Sequence, residues 1–115
     1  MVKYERFQKI NCLAEGDVVG AKIYSFTNKL PADERFGLIS QIRRCAVSIP
    51  SNISEGAKRS TDKDFRNFIN FASGSSAELE TQLLLSEQIY NLKDDDVNRL
   101  LVEIQKMLES LIKKL

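Results

Sequence analysis

The sequence predicts an all-α protein, an antiparallel up-and-down four-helix bundle, and three observations carry that expectation. Apolar residues recur at three- and four-residue steps in four separate segments. Two Pro and five Gly are too few turn formers to punctuate a many-stranded fold of 115 residues. No stretch alternates apolar and polar residues with a period of two. The length is that of one domain, spanning residues 1–115.

The first helix is expected over residues 12–30, with Leu13, Val19, Ile23, Phe26 and Leu30 on its apolar stripe and Pro31 as its stop. Gly16 and Gly20 weaken its first half, and Met1 to Ile10 reads equally as a strap or a frayed end. The second helix is expected over residues 33–57, with Phe36, Ile39, Ile42, Ala46, Ile49 and Ile53 in line. Pro50 lies inside it, lacks an N–H and presses on the carbonyl of Ala46, which predicts a kink. Ser51 and Asn52 stand where they can solvate the loosened turn.

The third helix is expected over residues 61–90. Thr61 and Asp64 have the spacing of a capping box, and Phe65, Phe68, Ile69, Ala72, Ser76, Leu79, Leu83 and Tyr90 share a face. The small run Ala72-Ser73-Gly74-Ser75-Ser76-Ala77 keeps the apolar phase, so it reads as a continuous helix crossed closely by another backbone. The fourth helix is expected over residues 94–115, with a stripe from Val97 to Leu115. Asp94, Asp95 and Asp96 suit the positive end of its dipole, and Lys113 and Lys114 the negative end.

Ile42, Ala46, Ile53, Phe68, Ala72, Leu79, Ile104 and Leu108 are the expected core. Leu38, Phe71, Leu84, Leu85 and Ile89 lie off the main stripes. Such surplus apolar groups predict a second, intermolecular surface, and a heterologous contact repeated by rotation closes as a ring.

Composition excludes several chemistries. The chain has no His, which removes histidine bases, triads and metal ligands together. Cys12 and Cys45 fall on apolar faces, form no CxxC pair, and read as buried structural thiols of a reducing compartment. Glu78 with Glu80, or Asp94 to Asp96, lack the Glu-x-x-His partners of a bundle metal site, so no metal and no cofactor are expected. The opening Met1-Val2-Lys3-Tyr4-Glu5-Arg6 lacks the apolar stretch of a secretion signal. No segment approaches the about 18 apolar residues of a membrane span. A cytoplasmic protein without a catalytic constellation and without a membrane partner is expected.

Charge is polarised although the net value is only +1. Residues 22–66 carry an excess of basic groups, and residues 67–105 an excess of acids. Arg43, Arg44, Lys58, Arg59, Lys63 and Arg66 are therefore the candidate nucleic-acid contacts, through phosphate rather than base. The aromatics Phe65, Phe68 and Phe71 follow core spacing and offer no evident stacking platform. Arg44, Ser48, Asn52 and Glu55 form a polar stripe beside the apolar one, which reads as a solvated, inter-helix or subunit-contact face.

The segment Ser48-Ile49-Pro50-Ser51-Asn52-Ile53-Ser54-Glu55-Gly56 closely resembles the SIPSNIAEG signature of bacterial four-helix-bundle proteins encoded in 23S rRNA intervening sequences. Leu38 to Val47 resembles the LxSQIRRAAV of that family, and Gly74 to Leu83 its GSxxELETQL. Ser48, Pro50, Asn52, Glu55, Gly56, Gly74, Glu78 and Gln82 carry the match. Where family members often have an early Trp-Gln pair, this chain reads Cys12-Leu13-Ala14. The resemblance implies a bundle assembled as a ring, commonly a pentamer, with no catalytic role. It extends distantly to the accessory protein of diversity-generating retroelements, a basic pentamer associated with nucleic acid. Two functions follow as alternatives: an oligomeric accessory factor that binds RNA or DNA, or a scaffold for a protein partner with no nucleic-acid role.

Overall fold

The computed structural model describes the backbone of residues 3–115 and the side chains from residue 11 onward. Four helices follow in order: α1 (Lys3–Thr27), α2 (Leu38–Ala57), α3 (Asp62–Tyr90) and α4 (Asp95–Lys114). Each packs on its neighbour in sequence, and α1 closes against α4, while the diagonal pairs make no backbone approach among the described residues. Short connections reverse the chain each time, so the bundle is the up-and-down type. Among the described residues there is no strand, and no helix is long and apolar enough to cross a membrane.

The caps explain the boundaries. Thr61 Oγ1 accepts from the N–H of Asp64 at 3.2 Å and starts α3. Asp94 Oδ1 accepts from the N–H groups of Asp96 (3.0 Å) and Val97 (3.1 Å) and starts α4. Asn91 ends α3 in the left-handed region at φ 53°, a conformation Asn tolerates better than most side chains.

Two boundaries differ from the sequence reading. Helix α1 begins at Lys3, within the stretch left open as strap or frayed end, and stops at Thr27 rather than Leu30. There Thr27 Oγ1 turns back to the carbonyl of Tyr24 (3.0 Å), and the N–H groups of Lys29 and Leu30 bond three residues back, tightening the last turn. Helix α2 begins at Leu38 rather than residue 33. A 3-10 turn over Ala32–Glu34 comes first, then Gly37 leaves the helical region at φ −112° and ψ −111°. The Glu34 carboxylate caps the N–H of Leu38 at 3.2 Å. Phe36 therefore stands outside the helix whose stripe it was expected to join, and is 91% exposed.

The core holds Val19, Ile23, Phe26, Ile42, Ala46, Ile49, Ile53, Phe65, Ile69, Ala72, Leu79, Ile104 and Leu108, with Cys12 and Cys45 among them. Phe68 is a correction: it is only half-buried, because Phe65 takes the inward position and Phe68 lies edge-on to Phe71, ring centres 5.9 Å apart. Leu38 is another, since it packs partly against the core. Helix α2 runs unbroken through Pro50, whose ring faces Gly16 of α1. Helix α3 is continuous through its small run as expected, but a Cβ on Gly74 would meet nothing within 4 Å. The close approach is at Gly56 instead, where a Cβ would stand 2.6 Å from Phe68 Cβ and 3.0 Å from Phe65 Cδ1.

Candidate functional site on the α2–α3 face

The two signature segments meet side by side. Ser48 Oγ and Ser75 Oγ share a hydrogen bond of 2.7 Å. Asn52 Nδ2 donates to the Ser48 carbonyl (2.8 Å) and to Ser48 Oγ (2.9 Å), so it braces the turn around Pro50. One turn towards the α2 N-terminus, the Cys45 thiol donates to Glu78 Oε2 at 3.3 Å, and Gln82 Nε2 donates to Cys45 Sγ at 3.5 Å. Gln82 Oε1 is shielded from water and meets no donor. At the other end of α2, Glu55 pairs with Arg59 at 2.8 Å, and the Arg59 guanidinium lies 4.6 Å over the Phe68 ring. Pro50 and Gly56 lie off this polar row and set helix contacts, against α1 and α3 respectively.

The chemistry available here is weak. Burial raises the Cys45 thiol, and its bond to Glu78 raises it further, so it stays protonated near neutrality. Burial, with Glu15 nearby, pushes the Cys12 thiol up to about 11. Among the described residues no three of Cys, Asp and Glu stand together as metal ligands. The acids are engaged in structure: Glu80 accepts from Gln105 Nε2 (2.8 Å), Asp94 caps α4, and Asp96 receives Lys22 (2.8 Å) and Arg99. The Lys22 and Arg99 hydrogen bonds lower the Asp96 pKa, and Asp96 raises that of Lys22.

The six candidate basic residues do not converge. Arg43 faces α1, donating to Thr27 Oγ1 (2.8 Å) and Asn28 Oδ1 (2.9 Å) and stacking 4.6 Å over Tyr24. Arg44 points outward and bonds Gln41 at 3.1 Å. Lys58, Arg59 and Lys63 gather around the α2–α3 connection, roughly 20 Å further along α2. Arg66 donates to the carbonyl of Leu115. The structure instead brings Arg35 and Phe36, neither among the sequence candidates, beside Arg43 and Arg44 at the α1–α2 corner. Pro31 and Gly37 bracket that pair and were the available sign that it lies on a connection rather than a helix face.

Residues 8–113 match the family model described as 23S rRNA-intervening sequence protein. A crystal structure of a protein of unknown function from the S23 ribosomal protein family of Bacteroides thetaiotaomicron superposes with a TM-score of 0.83 at 25% identity, covering 92% of this chain and 98% of that one. No curated protein matches the chain.

Proposed function

The chain belongs to the 23S rRNA-intervening sequence protein family, and from that premise we propose that it is a non-enzymatic bundle that self-assembles as a ring and serves as a nucleic-acid-binding accessory factor. The observation that carries the assembly is a second strip on α3. Phe71, Leu85 and Ile89 are 59%, 40% and 60% exposed and share a face with Gly74. Phe71 with an open glycine one turn on, and Leu85 with Ile89 further along the same face, suit the close approach of a helix from another copy. A heterologous contact repeated by rotation closes as a ring, and five copies is the number the resemblance implies. The two protonated, buried thiols support a role without nucleophilic chemistry in a reducing, cytoplasmic setting.

Light scattering at micromolar concentration tests this. The native protein is expected as a multiple of 13.1 kDa, and Gly74→Arg is expected to release helical 13.1 kDa protomers. A native monomer overturns the ring. A Gly74→Arg protein that stays assembled overturns the α3 strip as its contact. A scaffold for a protein partner is the second reading, favoured because Arg43, Arg59 and Arg66 are already bonded within the protomer. RNA or polypeptide co-purifying with the native protein decides between the two.

A further inference from the structure

An open trough of about 640 Å3 lies at the corner where α1 turns into α2. Tyr24, Arg35, Phe36, Arg43, Arg44 and Ser48 line it, and no acidic residue does. Among the described residues, none of the three guanidinium groups has a carboxylate within 4 Å. Arg43 is held by neutral oxygens of Thr27 and Asn28, so its charge is fixed in place but not cancelled. The neighbouring Glu34 carboxylate is committed elsewhere, accepting from the Tyr90 hydroxyl and the Leu38 N–H. Phe36, 91% exposed, stands at the rim because Gly37 breaks the helix behind it.

We propose that this trough binds an unpaired nucleic-acid strand, with Arg35 and Arg44 on phosphates and a base stacked on Phe36. The proposal rests on the nucleic-acid part of the function proposed above and supplies the stacking surface that the core aromatics do not. Three positive groups without a counter-charge select a polyanion. An exposed phenyl face selects a ligand with a free base face, which a single strand has and a duplex hides. A small nucleotide is a poorer fit, because small-ligand sites enclose most of their ligand and this trough is open. Arg43, stacked on Tyr24, positions the floor and adds fixed charge. In a ring the trough recurs once per protomer, so one strand crossing several troughs gains avidity.

The chain contains no Trp, so Phe36→Trp is a single fluorescent reporter at the site. An oligouridylate of about twelve nucleotides, at about 50 mM salt where phosphate contacts are strongest, is expected to quench that fluorescence and to bind at least tenfold tighter than a duplex of equal length. Phe36→Ala is expected to weaken oligouridylate binding about tenfold, a typical stacking contribution. Arg44→Glu is expected to weaken it further and to lower the salt slope by about one. Lys58→Glu with Arg59→Glu, at the far end of α2, is expected to change little.

No strand binding to the native protein at low salt overturns this site and the nucleic-acid reading together. Binding that survives Phe36→Ala and Arg44→Glu but is lost in the Lys58/Arg59 reversal keeps that reading and overturns the trough. Equal affinity for duplex overturns the stacking. Dissociation of the assembly by Phe36→Ala, with binding per protomer unchanged, makes Phe36 a subunit contact and overturns its role here. Equal quenching by polyglutamate makes the ligand an acidic polypeptide instead.

Discussion

Gly56→Ala is expected to destabilise the protein although alanine is the better helix former. Gly56 sits near the end of α2 with ordinary helical geometry, so backbone freedom is not what requires glycine. In isolation the substitution gains about 1 kcal/mol of helix propensity. The added Cβ, however, falls 2.6 Å from Phe68 Cβ, 3.0 Å from Phe65 Cδ1 and 3.3 Å from the Phe65 carbonyl oxygen. Phe68 Cβ and the Phe65 carbonyl are fixed to the α3 backbone and cannot rotate away, so α3 itself must move. Overpacking of this kind costs typically about 1–3 kcal/mol, and the shortness of the contact puts it at the upper end. The net loss is then about 1–2 kcal/mol. Urea unfolding at fixed protein concentration is the assay, and the midpoint is expected to fall by about 0.5–1 M. Gly74→Ala is the internal control, since its Cβ meets nothing within 4 Å and the substitution is expected to leave the protomer equally or more stable. A Gly56→Ala protein as stable as the native one, or stabilised like Gly74→Ala, refutes the reasoning.

Leu108 is fully buried in α4, so Leu108→Ala is expected to cost about 2–5 kcal/mol in the same assay, and a loss below about 0.5 kcal/mol would place it in solvent. The Tyr90 hydrogen bond to Glu34 lowers the Glu34 pKa below its usual 4.5 and raises that of Tyr90 above its usual 10. The Glu34 contribution is therefore present above about pH 4.5 and lost as pH falls through its depressed folded value. The Tyr90 contribution is present below about pH 10 and lost as pH rises through its elevated one. Tyr90→Phe is expected to lower the melting temperature at neutral pH and to flatten both flanks of the pH profile; an unchanged profile refutes a stabilising Tyr90–Glu34 hydrogen bond. Cys12, with its pKa near 11, is expected to react with iodoacetamide at pH 8 about a hundredfold more slowly than an ordinary thiol, by mass-spectrometric time course. Labelling at the free-thiol rate would show that it is not buried.

The sequence by itself determined the helices, because helical periodicity is a local property that each segment carries whole. Ile42, Ala46, Ile53, Ala72, Leu79, Ile104 and Leu108 are core as their spacing required. The caps at Thr61 and Asp94 were legible for the same reason, since a cap and the N–H it accepts from lie within four residues. Family membership was legible in the three motif blocks, which are contiguous strings. What the tertiary structure decided were questions of which neighbour stands opposite a given residue. Gly56 and Gly74 look alike in sequence, yet one is pressed by α3 and the other is open, because the crossing point depends on where α3 starts. Phe65 and Phe68 both fit the α3 stripe, and only packing assigns the inward place to the first. Phe36 fits the α2 periodicity, but Gly37 and the Glu34 cap at Leu38 start the helix beyond it and leave its ring in solvent beside three arginines. The six basic candidates share a stretch of chain and a charge sign, but helix phase and about 20 Å of α2 separate them. Spacing along a helix dictates the direction of a side chain around its own axis; what it meets there depends on the register and tilt of the next helix, which no single segment encodes.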